Sequence, residues 1–135
     1  METDKYKILV IDDEYTIRDI LSRALPIFAE KDNLEYEVLT AENGADALKR
    51  LEEIKPETPD VIVSDITMPI MNGLEFLTQL NDKGYRSIPV ILCSGNSDDM
   101  KNLSDNHRAI VKEILQKPIR SLYVYNAVKK YTIPR

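Results

Sequence analysis

A chain of 135 residues with 43% apolar and 30% charged residues fits one soluble globular domain with one core. Its net charge of −5 argues against direct nucleic-acid binding, which needs a basic patch to displace counterions. No stretch reaches the roughly 18–20 apolar residues of a membrane span. The start METDKYK lacks the apolar core of a signal peptide, so the protein is expected to be cytoplasmic, with no membrane partner. The single cysteine, Cys93, follows Ile91 and Leu92 and reads as a small buried hydrophobe.

In chain order, short apolar runs alternate with helix-period segments, the signature of a parallel α/β sheet. Lys7 to Ile11 is a continuous apolar run, as expected of a strand covered on both faces. Asp12-Asp13 ends it. A helix follows from Glu14 to about Phe28, with Ile17, Ile20, Leu21 and Leu25 on one face and its last turn weakened by Pro26. Glu35 to Thr40 is a second strand. Asn43-Gly44 opens a second helix carrying Ala45, Leu48, Leu51 and Ile54, closed by Pro56 to Pro59. Val61 to Ser64 is the third strand, and a helix spans about Asn72 to Lys83. Ile88 to Cys93 is the fourth strand. Residues 97–112 are polar with few apolar anchors and predict a short or mobile helix. Glu113 to Gln116 is a short fifth strand, and the last helix runs from Arg120 to about Tyr131. Residues 1–135 thus read as one domain with no linker or repeat.

Ligands of an open parallel sheet bind outside the carboxyl ends of its strands. Those ends carry Asp12 and Asp13 after the first strand, Asp65 after the third, Ser94 after the fourth and Lys117-Pro118 after the fifth. Each alone is an ordinary polar strand end; together they form a constellation. Two carboxylates about 5 Å apart repel by roughly 3 kcal/mol at an effective dielectric near 20, and one lysine cannot offset three acids. Oxygen donors without His or Cys suit Mg²⁺ or Mn²⁺, not zinc. A carboxylate beside such an ion can attack phosphorus, with cations and donors arranged around the transferring group. Asp65 comes from the central strand and is the best nucleophile, with Lys117 and the Ser94 hydroxyl facing the phosphoryl oxygens.

These residues resemble the receiver domain of two-component response regulators, of the chemotaxis-receiver type. The resemblance runs from Lys7 to about Tyr131 and rests on four features. They are Ile11-Asp12-Asp13-Glu14, the stretch Asp65-Ile66-Thr67-Met68-Pro69-Ile70-Met71-Asn72-Gly73, Ser94 after an apolar strand, and Lys117-Pro118. It implies a flavodoxin-like, doubly wound, five-stranded parallel sheet of order 2-1-3-4-5 with helices on both faces. It implies Asp65 as phospho-acceptor (a 4-aspartylphosphate), charged by a histidine kinase, a histidine phosphotransfer protein or a small phosphodonor. Asp12, Asp13, Asp65 and the backbone carbonyl of Thr67 would hold Mg²⁺. Lys117 would bind phosphate ahead of a cis Pro118, and Ser94 would move toward the phosphoryl group on activation. Thr67 and Asn96 would tune hydrolysis. Such a chain catalyses its own phosphorylation and dephosphorylation without being a conventional enzyme.

Two departures stand out. Ile114 occupies the place of an aromatic switch residue, and His107-Arg108 replaces a small Gly-Ala pair. A downstream protein is expected on the face made by the fourth helix, fifth strand and fifth helix. His107 reads as an exposed surface residue rather than a phosphohistidine. Of Tyr123, Tyr125 and Tyr131, one is expected in the core and the others at the surface. Two alternatives stay open. One is a pseudo-receiver that binds partners without phosphorylation. The other is a metal-dependent phosphohydrolase, disfavoured because Thr67 stands where its acid/base Asp belongs. A nucleotide or flavin binder lacks its Gly-rich loop after Ile11.

Overall fold

The computed structural model describes residues 4–132. Five parallel strands, β1 (Asp4–Ile11), β2 (Leu34–Ala41), β3 (Val61–Asp65), β4 (Val90–Ser94) and β5 (Val111–Gln116), form one sheet in the order β2-β1-β3-β4-β5. Between and after them run α1 (Tyr15–Lys31), α2 (Gly44–Ile54), α3 (Gly73–Asp82), α4 (Asp105–Ile110) and α5 (Ser121–Lys129). This is the flavodoxin-like topology that the resemblance to receiver domains implies. Because side chains alternate along a strand, the central strands feed two cores. Ile8, Val10, Val61 and Val63 face α1 and α5, with Leu21, Leu25, Val124 and Tyr125. Leu9, Ile11 and Ile62 face the other layer, with Leu51 from α2, Phe76 and Leu77 from α3, and Ile110 from α4.

Helix starts follow local chemistry. Asn43 caps α2, its side chain accepting the Asp46 N–H at 2.9 Å. Asn72 and Glu75 form a reciprocal capping box at α3, at 2.9 and 3.1 Å. That box satisfies two backbone donors and places the first turn of α3 directly beneath the end of β3.

Several boundaries differ from those expected, for tertiary reasons. The β1 strand begins at Asp4 rather than Lys7, because pairing with β2 runs from Asp4↔Leu34 to Ile11↔Ala41. Pro26 does not end α1, which continues to Lys31 because Leu25 and Ala29 pack on the core beyond it. Ile20, expected on the apolar face, is 47% exposed; the buried stripe is Leu21, Leu25 and Ala29. The β5 strand starts at Val111, inside the polar stretch, and joins β4 through a register shift at Val90/Ile91. That stretch otherwise forms a 3₁₀ turn (Ser97–Asn102) and the six-residue α4. It is short, as expected. On α5 Tyr125 is buried and Tyr123 exposed, as expected, whereas Tyr131 lies past the helix end at Lys129 and is half-buried against the core.

Candidate functional site

The carboxyl ends of β1 and β3 bring Asp12, Asp13 and Asp65 together, with one oxygen from each lying within 4.8 Å of the others. Asp12 and Asp65 are each 3% exposed, whereas Asp13 faces solvent. Asp12 is fixed on both sides of its backbone. Its N–H donates to the Ala41 carbonyl at 3.1 Å, and its carbonyl accepts the Arg18 guanidinium at 2.7 Å. Its side chain accepts the Glu14 N–H at 2.9 Å.

Asp65 is the last residue of β3, one position later than the predicted strand end. The chain then turns so sharply that Gly73 N–H donates to the Ile66 carbonyl at 2.8 Å. A Cβ at Gly73 would lie 2.5 Å from the Asp65 carbonyl oxygen, so only glycine fits against the strand end. Thr67 is exposed within this turn.

From the far side of the sheet, Lys117 Nζ donates to Asp65 Oδ2 at 2.8 Å. The Lys117 backbone N–H is tied to the Ser94 carbonyl at 2.8 Å, and the Lys117–Pro118 peptide is cis, as the resemblance implies. Burial works against the Lys117 charge, but its hydrogen bond to Asp65 and the charges of Asp65 and Asp12 outweigh it. The net effect holds the ammonium above its ordinary value.

The acids remain under-compensated. Burial first, then the Asp65 and Asp13 charges, push Asp12 up to about 6, against the opposing pull of the Glu14 N–H and Lys117. One ammonium therefore does not neutralise the cluster. All the side-chain donors are carboxylate oxygens, and only part of a coordination sphere is supplied. That donor set fits a hard divalent ion which keeps some of its waters.

Ser94, at the end of β4, is 4% exposed, but among the described residues its hydroxyl makes no hydrogen bond to Asp65. It accepts the Asn96 N–H at 3.1 Å and shares its one proton between the Asn96 carbonyl at 2.7 Å and the Asp99 carboxylate. Asn96 is exposed. Ile114 is partly buried against the core layer that holds Phe76, Leu103 and Ile110.

His107 is less free than expected. It is half-buried, its Nε2 meets Thr78 Oγ1 at 2.9 Å across α3 and α4, and burial lowers its pKa. It lies with the α3–α4 packing, not at the acid cluster. Cys93 is buried and pushed up to about 12, first by burial, which makes it an inert hydrophobe. Arg18 and Asp99 carry no sequence signal of their own. Arg18 is one of many helix-surface charges until α1 folds back on Asp12, and Asp99 is one acid in a polar loop.

The fold and the strand-end chemistry define a receiver-type domain, and comparison with known proteins agrees. The chain belongs to the response regulator receiver domain family, whose model matches residues 8–129. It is 34% identical over 125 residues to the chemotaxis protein CheY of Listeria monocytogenes, covering 92% of this chain and 96% of that protein. It is also 34% identical over 120 residues to a protein-glutamate methylesterase/protein-glutamine glutaminase of Bradyrhizobium diazoefficiens. That match covers 87% of this chain but only 30% of the relative, so the chain spans less than a third of the methylesterase's length. Among solved structures, Vibrio cholerae CheY4 superposes with a TM-score of 0.76 at 26% identity, covering 94% and 98% of the two chains. The Thermotoga maritima response regulator TrrA, solved in complex with Mg²⁺-BeF, gives 0.73 at 31% identity, covering 93% and 98%. Among the described residues no helix is long and apolar enough to cross a membrane.

Proposed function

We propose that this chain is the phospho-accepting receiver of a two-component relay, with Asp65 as the acceptor. The observation that carries this reading is the Asp65 carboxylate held at 2.8 Å by Lys117 inside a cluster with Asp12 and Asp13. An Asp65 oxygen attacks phosphorus, the bond from phosphorus to the donor imidazole breaks, and the departing ring keeps its electron pair and takes up a proton. Lys117, already positioned on Asp65, meets one phosphoryl oxygen. The Ser94 hydroxyl supplies another donor once it leaves its present partners. Asp12, Asp13, Asp65 and the Thr67 carbonyl are the residues that would hold Mg²⁺ (or Mn²⁺). Bound there, the ion would supply charge stabilisation to the phosphoryl oxygens. Thr67, in the turn after Asp65, and Asn96, in the loop after Ser94, are the residues that would tune access of the water that hydrolyses the acyl phosphate.

The donor is a histidine kinase or histidine phosphotransfer protein, which places the chain in the cytoplasm. The similarity to CheY, and the receiver-sized match to a methylesterase, support a downstream protein target on the α4–β5–α5 face. With Ile114 in the aromatic position, the switch runs through Ser94 and the loop after it. Residues 1–135 act as one receiver unit.

Intact-mass measurement after incubation with a small phosphodonor and Mg²⁺ tests the assignment. Wild type gains one phosphoryl group, and Asp65→Asn gains none. No gain on wild type leaves the pseudo-receiver as the better account, and a gain that survives Asp65→Asn moves the acceptor elsewhere. Turnover of a free phosphate ester would favour the phosphohydrolase.

A further inference from the structure

The Ser94 hydroxyl has one proton, and in this structure that proton is committed away from the acceptor. It points to the Asn96 carbonyl at 2.7 Å and to the Asp99 carboxylate, while the hydroxyl oxygen accepts the Asn96 N–H at 3.1 Å. The loop is folded so that Asp99, and not its neighbour, reaches Ser94. The Asn96 carbonyl accepts the Asp99 N–H at 3.1 Å, and the Asn96 side chain accepts the Asp98 N–H at 2.9 Å. This winds the first turn of the 3₁₀ segment back over the end of β4. Asp98 is left exposed and paired with Lys101 at 3.5 Å, while Asp99 is half-buried against the hydroxyl.

We propose that Asp99 is a positioning residue which holds the Ser94 hydroxyl in a resting orientation, so that the switch engages only when a stronger acceptor appears on Asp65. This rests on the reading of Asp65 as phospho-acceptor. The physical basis is competition. A hydroxyl donates one hydrogen bond, and an ionised carboxylate is a stronger acceptor than a neutral carbonyl. A phosphoryl group on Asp65 presents a second anionic acceptor, and the proton goes to whichever arrangement is lower in free energy. Removing the Asp99 charge weakens the resting side of that equilibrium and leaves the engaged side intact.

The test uses the full chain with beryllofluoride and Mg²⁺, a stable stand-in for the phosphoryl group, in wild type, Asp99→Asn, Ser94→Ala and the double variant. Two readouts are taken by NMR: the beryllofluoride Kd, and the Ser94 χ1 populations from three-bond couplings without any mimic. In Asp99→Asn, Ser94 is expected to lose its single rotamer, and beryllofluoride to bind about tenfold tighter. In the Ser94→Ala background, Asp99→Asn is expected to change the Kd by less than about twofold. An equal gain in that background would show that Asp99 acts only by its charge near the site, which overturns the proposal. A Ser94 rotamer unchanged by Asp99→Asn overturns it too. Should wild type bind no beryllofluoride, the acceptor reading fails, while the rotamer measurement still decides what Asp99 does. Asp99→Asn is nearly isosteric and keeps the loop's backbone bonds, and Asp99→Ser serves as a second variant should it fail to fold.

Discussion

The middle of the sheet and its β5 edge are built to different standards. Every residue of β3 is buried, and β1 is buried from Ile8 to Ile11 and pairs with β3 without a break in register. At the edge, β5 is half-buried or exposed throughout, its pairing with β4 slips at Val90/Ile91, and the preceding α4 has only six residues. The three acids sit on the first region, while Ser94 and its loop lead into the second. Rigid strands hold three like charges in a geometry that a looser support would let relax. Loosely packed elements are the ones that can change shape at small cost. The acid cluster is thus carried by the tight half, and the proposed switch loop leads into the soft half.

The sharpest test of that division is a pair of truncations. Phe76→Ala, at a fully buried position beneath β3, should cost about 4 kcal/mol of unfolding free energy, against about 1 kcal/mol for the partly buried Ile114→Ala. Urea denaturation measures both, and equal losses would erase the distinction. Glycines give a second contrast. Gly73→Ala puts a Cβ 2.5 Å from the Asp65 carbonyl oxygen and should cost about 3 kcal/mol while displacing Asp65. Gly95→Ala has its nearest neighbour, Lys117 Cδ, at 3.9 Å and should leave stability within about 0.5 kcal/mol.

The crowded acids should also show in pH dependence. Asp12 sits at about 6 in the folded, metal-free chain, above its ordinary 3.8, so the fold holds that proton more tightly than the unfolded chain does. The associated stability is fully present below the ordinary value and is lost as pH rises through about 6. Over the whole range from 3.8 to about 6 the difference amounts to about 3 kcal/mol. Asp12→Asn should flatten that dependence in urea titrations at pH 5 and 7, and added Mg²⁺ is expected to raise the Tm of wild type but not of this variant. A slope unchanged by the substitution would show that Asp12 is not the strained group.

The smallest effect concerns Ile70, which is 83% exposed and held at φ 67°, a conformation that β-branched residues rarely adopt. Ile70→Asn should raise stability by about 1 kcal/mol, read as an upward shift in Tm. No gain would mean that the turn after Asp65 imposes no strain on its backbone.

Much of this was legible in the chain. Continuous apolar runs mark strands covered on both faces, and strand-end residues share one edge by topology. Asp12, Asp65, Ser94 and Lys117 could therefore be picked out before any coordinates. Capping chemistry at Asn43 and Asn72 is equally local. Other features depend on neighbours distant in sequence. Asp4 enters β1 because Leu34 lies beside it, and α1 runs past Pro26 because a core waits for Ala29. Ile20 has the spacing of a core residue but falls outside the stripe that the sheet covers.

The sequence by itself determined which chemical groups are present and, through periodicity, which strand ends carry them. Only the tertiary structure decided how those groups are engaged. It put Lys117 on Asp65, Arg18 on the Asp12 carbonyl, and the Ser94 hydroxyl on the Asn96 carbonyl and Asp99. Periodicity is a property of the backbone repeat and can be read along one chain. A hydrogen bond between side chains depends on distance and direction, which exist only after the loops have closed.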